Sequence, residues 1–334
     1  MEIKMRFTRD TLLKLAKETV EKRFAHDANV TAVFLVGSLV SEEMVVENPI
    51  DVDLLVLHNG EIPRDREIIR LSNEFHLDIA YEDVSNYSKP RELRGDAWRG
   101  WNMWNPHLLF QRGRFLEYTQ SVLRAQFEDP QNLIKRSRYF FSPAREAWSD
   151  AQMDLEGTRP FKFLTAVFNA GNSLAVLSGP PLPERKLLSG FSERANNIVE
   201  QDDLTQLIFS CLSTNINEQT IHAWLPLWES AFKAAAVSPA DLRLHSARLT
   251  YYKSAIENQL VSDIPRAALW PMLHTWALAA ENGTFNDQQN EEWMKVQAEA
   301  GLNPASIADR LAALDEFLDR VEEILDEISS LNSL

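Results

Sequence analysis

The stretch Val33-Phe34-Leu35-Val36-Gly37-Ser38, followed after a gap of twelve residues by Asp51-Val52-Asp53-Leu54-Leu55-Val56-Leu57, decides how this chain folds. The first run is apolar and breaks at a Gly-Ser pair, and the second opens with two acids at the strand period of two. Alternate residues of a strand point to one face, so Asp51 and Asp53 project together, about 6.5 Å apart along the strand, while Val52 and Leu54 face a core. Two carboxylates on one face repel each other and lose hydration unless a cation sits between them, and hard oxygen ligands suit Mg2+. The pair therefore points to a metal site for phosphate chemistry.

Working outward, Thr8 to Phe24 places Leu12, Leu15, Ala16, Val20 and Phe24 on the stripe of an amphipathic helix, with Thr8 as its N-cap. Asn29 to Val36 reads as a buried strand, and Leu39 to Val46 as a short helix stopped by Asn48-Pro49. Arg64 to Phe75 carries Ile68, Leu71 and Phe75 at helical spacing. Leu77 to Glu82 alternates as a further strand that turns Asp78, Ala80 and Glu82 to one face, which adds a third acid to the first two. Glu82 and Asp83 are alternatives to Asp78 for that place. His107 to Phe110 reads as a strand running into a turn at Arg112-Gly113.

From Thr119 onward the pattern is helical, interrupted at Asp129-Pro130, at Glu156 to Pro160, at Gly179-Pro180-Pro181-Leu182-Pro183 and at Gly283. The expected fold class is thus α+β, a small mixed-sheet domain over residues 1–128 followed by an all-α helical bundle over 129–334. Phe161 to Leu177 is apolar enough to lie at the centre of that bundle. The last helix, Asn303 to Leu331, repeats Ile307, Leu311, Leu314, Leu318, Val321, Leu325 and Ile328 at alternating steps of four and three. That seam suits either its own bundle or a second copy of the chain in a homodimer.

Composition sets the outer bounds. Hydrophobic residues make up 45% and charged residues 25%, the balance of a globular protein. The net charge of -15, from 34 basic and 49 acidic residues, argues against holding duplex nucleic acid by broad phosphate neutralisation. The single cysteine, Cys211, lies in an apolar run and reads as a buried small hydrophobe in a reducing compartment. Met1 to Arg6 has no uninterrupted apolar segment, and Ala267 to Ala280 is too short to span a bilayer, so the expectation is a cytoplasmic protein without a membrane partner. The seven histidines show no ligand spacing for zinc.

Gly37-Ser38, the gap of twelve, Asp51-Val52-Asp53 and the later Asp78 together resemble the signature of the polymerase-β-like nucleotidyltransferases. The turn at Arg112-Gly113 and the trailing helical part look most like the small-substrate branch that includes the aminoglycoside adenylyltransferases. The chain departs from that branch at Leu39-Val40-Ser41-Glu42-Glu43 and at Ile50, where small or basic residues and a Ser are usual. The resemblance implies a nucleoside triphosphate, ATP first, and Mg2+ held by Asp51, Asp53 and Asp78, which also form the catalytic set. Gly37 and Ser38 would meet the phosphates, since a Gly at a strand-to-helix turn lets backbone N–H groups approach an anion and Ser38 adds a hydroxyl donor. It implies transfer of AMP to a hydroxyl of a small acceptor with release of pyrophosphate.

Two other functions fit the same residues. One is an antitoxin-like enzyme that modifies a protein or RNA, and the other an inert nucleotide-binding regulatory module. Trp98, Trp101 and Trp104 suit either stacking on a ligand ring or core packing, and Arg185-Lys186 either a triphosphate contact or solvated surface.

Overall fold

The apolar run that stops at Gly37 is the strand β1 (Val30–Val36), and the acid-x-acid run is β2 (Ile50–His58), paired antiparallel so that Val36 lies opposite Asp53. The computed structural model describes residues 8–40, 50–72, 75–154, 159–199, 203–212 and 216–333. It divides into two units, Met1–Arg94 with Trp98–Phe127, and Gly95–Ala97 with Glu128–Leu334. The architecture is α+β: a five-stranded mixed sheet with its helices in the first unit, and helices in the second.

In the first unit α1 (Arg9–Arg23) precedes β1, and β3 (Arg66–Arg70) and β4 (Phe75–Asp83) follow β2. Then come α2 (Arg99–Trp104), β5 (His107–Gln111) and α3 (Phe115–Arg124). The strand order is β3-β4-β2-β1-β5, with β2 and β4 parallel and every other pair antiparallel. One face of the sheet buries Val33, Leu35, Val52, Leu54 and Leu77 under Leu12, Ala16 and Val20 of α1. Burying each such Leu or Val side chain is worth about 1.5–3 kcal/mol before chain entropy is counted. The other face buries Phe34, Leu55 and Leu57 against Met103 of α2, Leu116 and Leu123 of α3, and Phe127. The opposite parity of Leu54 and Leu55 is the period-two pattern realised.

Two expectations for this unit are corrected or fall outside what is described. Arg64 to Phe75 is not a helix: its centre is the edge strand β3. Three apolar residues imitate a helical stripe there, but the Ile68-Ile69 pair is β-branched and Arg66, Glu67 and Arg70 find partners or solvent only on a sheet edge. Of the helix expected over Leu39 to Val46, Gly37–Val40 forms a single 3-10 turn. Residues 41–49, with Glu42 and Glu43, lie outside the described residues, as do the side chains of Ser38 and Ile50. Trp101 and Trp104 pack on Phe127, the latter stacked at 4.7 Å, which is the core role.

The second unit runs α4 (Pro130–Met153), α5 (Pro160–Ala175), α6 (Leu187–Asn196), α7 (Leu204–Ser210), α8 (Glu218–Ala235), α9 (Leu249–Leu260), α10 (Leu269–Glu281), α11 (Asp287–Ala300) and α12 (Ile307–Leu331). Its main core takes in Phe163, Leu164, Val167 and Leu174 of α5, the expected central helix. Asn172 of α5 holds the Pro-rich loop through both atoms of its amide, accepting from the Leu182 N–H at 2.7 Å and donating to the Leu182 carbonyl at 3.2 Å. The α12 seam from Ile307 to Leu325 is buried in that same core, so a second copy would have to use other surface. Arg145 of α4 ties the outer flank of α12 through Asp315 and Asp319, both at 2.7 Å. Cys211 is buried, its thiol pushed up to about 12 by burial. No helix among the described residues is long and apolar enough to cross a membrane.

Candidate functional site

Register decides which polar side chains meet. The parallel ladder sets Asp51 of β2 beside His76 of β4 and Asp53 beside Asp78, and residues paired across a ladder share a face. All four therefore continue the row of Leu55 and Leu57, on the face opposite α1. The N-terminal ends of β2 and β4 and the C-terminal end of β1 lie at the same rim, so the turn after β1 begins next to the acids.

Within that row, Asp51, His76 and Asp78 come together: one ligand atom from each lies within 4.8 Å of the other two. All three are buried, at 5%, 2% and 2% exposure. The Oδ1 atom of Asp51 is buried and has no hydrogen-bond partner among the described residues. A carboxylate oxygen deprived of water and of donors is costly unless a cation completes it. The residues present thus fit a divalent ion, with Asp51 and Asp78 as oxygen donors and His76 as a nitrogen donor.

Asp53 is placed differently from the expectation. It is not one of the three, and its carboxylate lies against Gly37: a Cβ built on that glycine would overlap Asp53 Oδ2. Gly37 also has φ of +72°, a left-handed conformation that side chains rarely adopt. The missing side chain at Gly37 thus makes room for the Asp53 carboxylate. Arg9, at the start of α1, fixes the turn by donating to the Leu39 carbonyl at 3.1 Å and to that of Val40 at 3.4 Å. On the α1 face of the same rim, burial together with Lys17 and Arg9 holds His107 below the usual imidazole range.

Asp78 is gripped by Arg66 of β3. Arg66 Nε donates to Oδ1 at 2.5 Å and Nη2 to Oδ2 at 3.0 Å, a bidentate pair in which the arginine side chain is 44% exposed and the acid almost wholly covered. Glu82 and Asp83 sit four and five residues further along β4, roughly 13 Å or more from Asp78 at strand rise. Glu82 pairs with Arg99 at 2.5 Å, and Asp83 caps the next turn through the Ser85 N–H at 2.7 Å; the Ser85 hydroxyl first, and then that N–H, keep its carboxyl below the usual range. Of the candidate third acids, Asp78 is the one in the cluster.

His76 and Arg66 were not readable as site residues. Each depends on which strands pair: His76 joins Asp51 only because β4 lies parallel to β2 in this register, and Arg66 reaches Asp78 only because β3 is a strand. The cue available was parity, since residues 76 and 78 alternate as 51 and 53 do. In the second unit, Arg185 lies over the Tyr251 ring at 4.1 Å, the packing of a structural cation.

No protein-family model matches the chain, and no curated protein matches it. Among solved structures, that of a nucleotidyltransferase-like protein from Exiguobacterium sibiricum 255-15 matches over 93% of this chain and 91% of that one, at 12% sequence identity and a TM-score of 0.27.

Proposed function

We propose that the first unit is a nucleotidyltransferase, moving a nucleoside monophosphate, AMP from ATP, onto a hydroxyl of a small-molecule acceptor with release of pyrophosphate. The observation that carries this reading is the buried, unpartnered Asp51 oxygen beside Asp78 at the rim where the Gly37 turn begins. A divalent ion held there would offset the negative charge of a triphosphate and of the departing pyrophosphate. The Mg2+ implied by the family resemblance suits the two carboxylates.

The chain's own residues take the remaining roles. Asp51 and Asp78 hold the ion, and Arg66 fixes the plane of the Asp78 carboxylate. With both oxygens already accepting N–H bonds, Asp78 is better placed as a ligand than as a proton acceptor. Asp53 extends the acidic row to Gly37, and Gly37 and Ser38 start the turn that would face the phosphates. Likeness to the aminoglycoside-type branch belongs to this proposal, as does the small acceptor.

The test is pyrophosphate release from ATP and other nucleoside triphosphates across a panel of hydroxyl acceptors. Release by the wild type and its loss by about a hundredfold or more in Asp51→Asn and Asp53→Asn is expected, the size seen when one charge-stabilising group is removed. No release from any triphosphate, or activity that survives both substitutions, overturns the reading. The Arg66 grip on Asp78 favours one second reading, a module that binds nucleotide without turnover. Calorimetric binding of ATP without pyrophosphate release would select it.

A further inference from the structure

We infer that the ion this rim selects is a divalent first-row transition ion rather than Mg2+, bound through the imidazole nitrogen of His76 beside the carboxylates of Asp51 and Asp78, with Mn2+ as the paramagnetic probe of that site. The inference rests on the reading of the rim as the cation site of the proposed transferase, and it specifies which ion that site takes.

The donor set carries the argument. Mg2+ is a hard ion that takes oxygen ligands and keeps much of its water, and a buried imidazole offers it little. Imidazole beside carboxylates suits the first-row transition ions, which accept nitrogen and oxygen together. His76 is brought to the site by register, opposite Asp51, and is as buried as the acids, so it is a wall of the site and not a bystander at its mouth.

Spacing agrees. Three ligands each about 2.0–2.2 Å from one ion and spread evenly around it lie about 3.8 Å or less from one another, so atoms now within 4.8 Å close on an ion by drawing in by up to about 1 Å. The orphaned Asp51 oxygen argues that the three groups do not simply satisfy one another by hydrogen bonds. Arg66, donating to both Asp78 oxygens, is the outer partner that orients a ligand, a part usually filled around a bound metal.

The experiment uses the full chain stripped of metal, titrated with Mn2+ and followed by electron paramagnetic resonance, with pulsed detection of nitrogen coupled to the bound ion. Wild type is expected to bind Mn2+ with one strong 14N coupling that disappears in His76→Gln. That variant is expected to bind Mn2+ at least about tenfold more weakly, the scale of losing a metal-site contact. Its Mg2+ affinity, read by competition, is expected to change by less than about twofold, because Mg2+ gains little from a nitrogen donor. Mn2+ bound to wild type without nitrogen coupling, or no Mn2+ binding, overturns the inference, and neither result depends on the variant folding.

The two readings also fail separately. Nitrogen-coupled Mn2+ with no pyrophosphate release under any ion supports this ligand set and overturns nucleotidyl transfer. Pyrophosphate release supported by Mg2+, with no nitrogen on bound Mn2+, does the reverse.

Discussion

Gly37 cannot carry a side chain for two separate reasons, its left-handed φ and the Asp53 carboxylate that fills the space of its Cβ. The first costs about 1–2 kcal/mol for any L-residue. The second pushes Asp53 off its place in the acidic row. Gly37→Ala is therefore expected to lower the urea midpoint by the equivalent of about 1–2 kcal/mol and to abolish turnover together. A variant as stable and as active as wild type would show that the contact is idle. Asp51 makes the opposite trade. An amide there carries no charge, so Asp51→Asn removes the cost of burying a carboxylate whose Oδ1 has no partner among the described residues. In chelator the variant is expected to melt higher than wild type by the equivalent of about 1 kcal/mol, a few degrees for a chain of this size, while losing any stabilisation by added cation. A lower melting point in chelator would mean that Asp51 is satisfied as it stands.

At the level of elements, the charged side chains that matter outside the rim are those that pin helices together. Glu184, in the turn before α6, accepts from Tyr252 of α9 at 2.9 Å and pairs with His274 of α10, with Arg243 at 4.0 Å. Burial alone would raise this carboxyl, but His274, Arg243 and the Tyr252 hydroxyl outweigh it and hold it below its ordinary value of 4.5. A carboxyl lowered in the folded state stabilises above its unfolded value, and the stabilisation is lost as pH falls from about 4.5 through the folded value. Glu184→Gln is accordingly expected to be less stable at neutral pH and to show a flatter acid limb than wild type in melting curves between about pH 6 and 3. Parallel acid limbs would remove Glu184 from the account. The same scale shows what the residues announce. The runs that became β1, β2 and β4 are long, apolar and bounded by breakers, and α12 repeats its apolar positions over more than three turns. β3 is short and its apolar content is two isoleucines, so three residues at chance helical spacing outvoted it.

At the scale of the whole molecule, the division into a sheet-bearing part and a helical part is visible because apolar period two gives way to period three to four near Thr119. The candidate site was half legible. Asp51 and Asp53 share a strand, so their common face follows from local geometry. The companions of Asp51 arrive from β4 and β3, and pairing between strands distant in sequence is set by how the two faces of the sheet find cover, which no local pattern states. The net charge of -15 supplies the last consequence. A chain this acidic repels a triphosphate at long range, so under the proposed function what holds the nucleotide is local: the ion and the few basic groups at the rim. Salt screens the distant repulsion beyond about 10 Å at 0.1 M more than it screens close, half-buried contacts. Raising NaCl from about 0.05 to 0.2 M is therefore expected to change the affinity for ATP with its cation by less than about threefold. A protein held to phosphates by 6–10 exposed basic contacts would lose about 10³–10⁵ over that range. Fluorescence titration of a nucleotide analogue at several salt concentrations, with duplex DNA as a parallel ligand, measures both. A steep fall in nucleotide affinity with salt, or retention of duplex DNA at 0.2 M, would locate the binding energy on a basic surface instead of on the acid-lined rim.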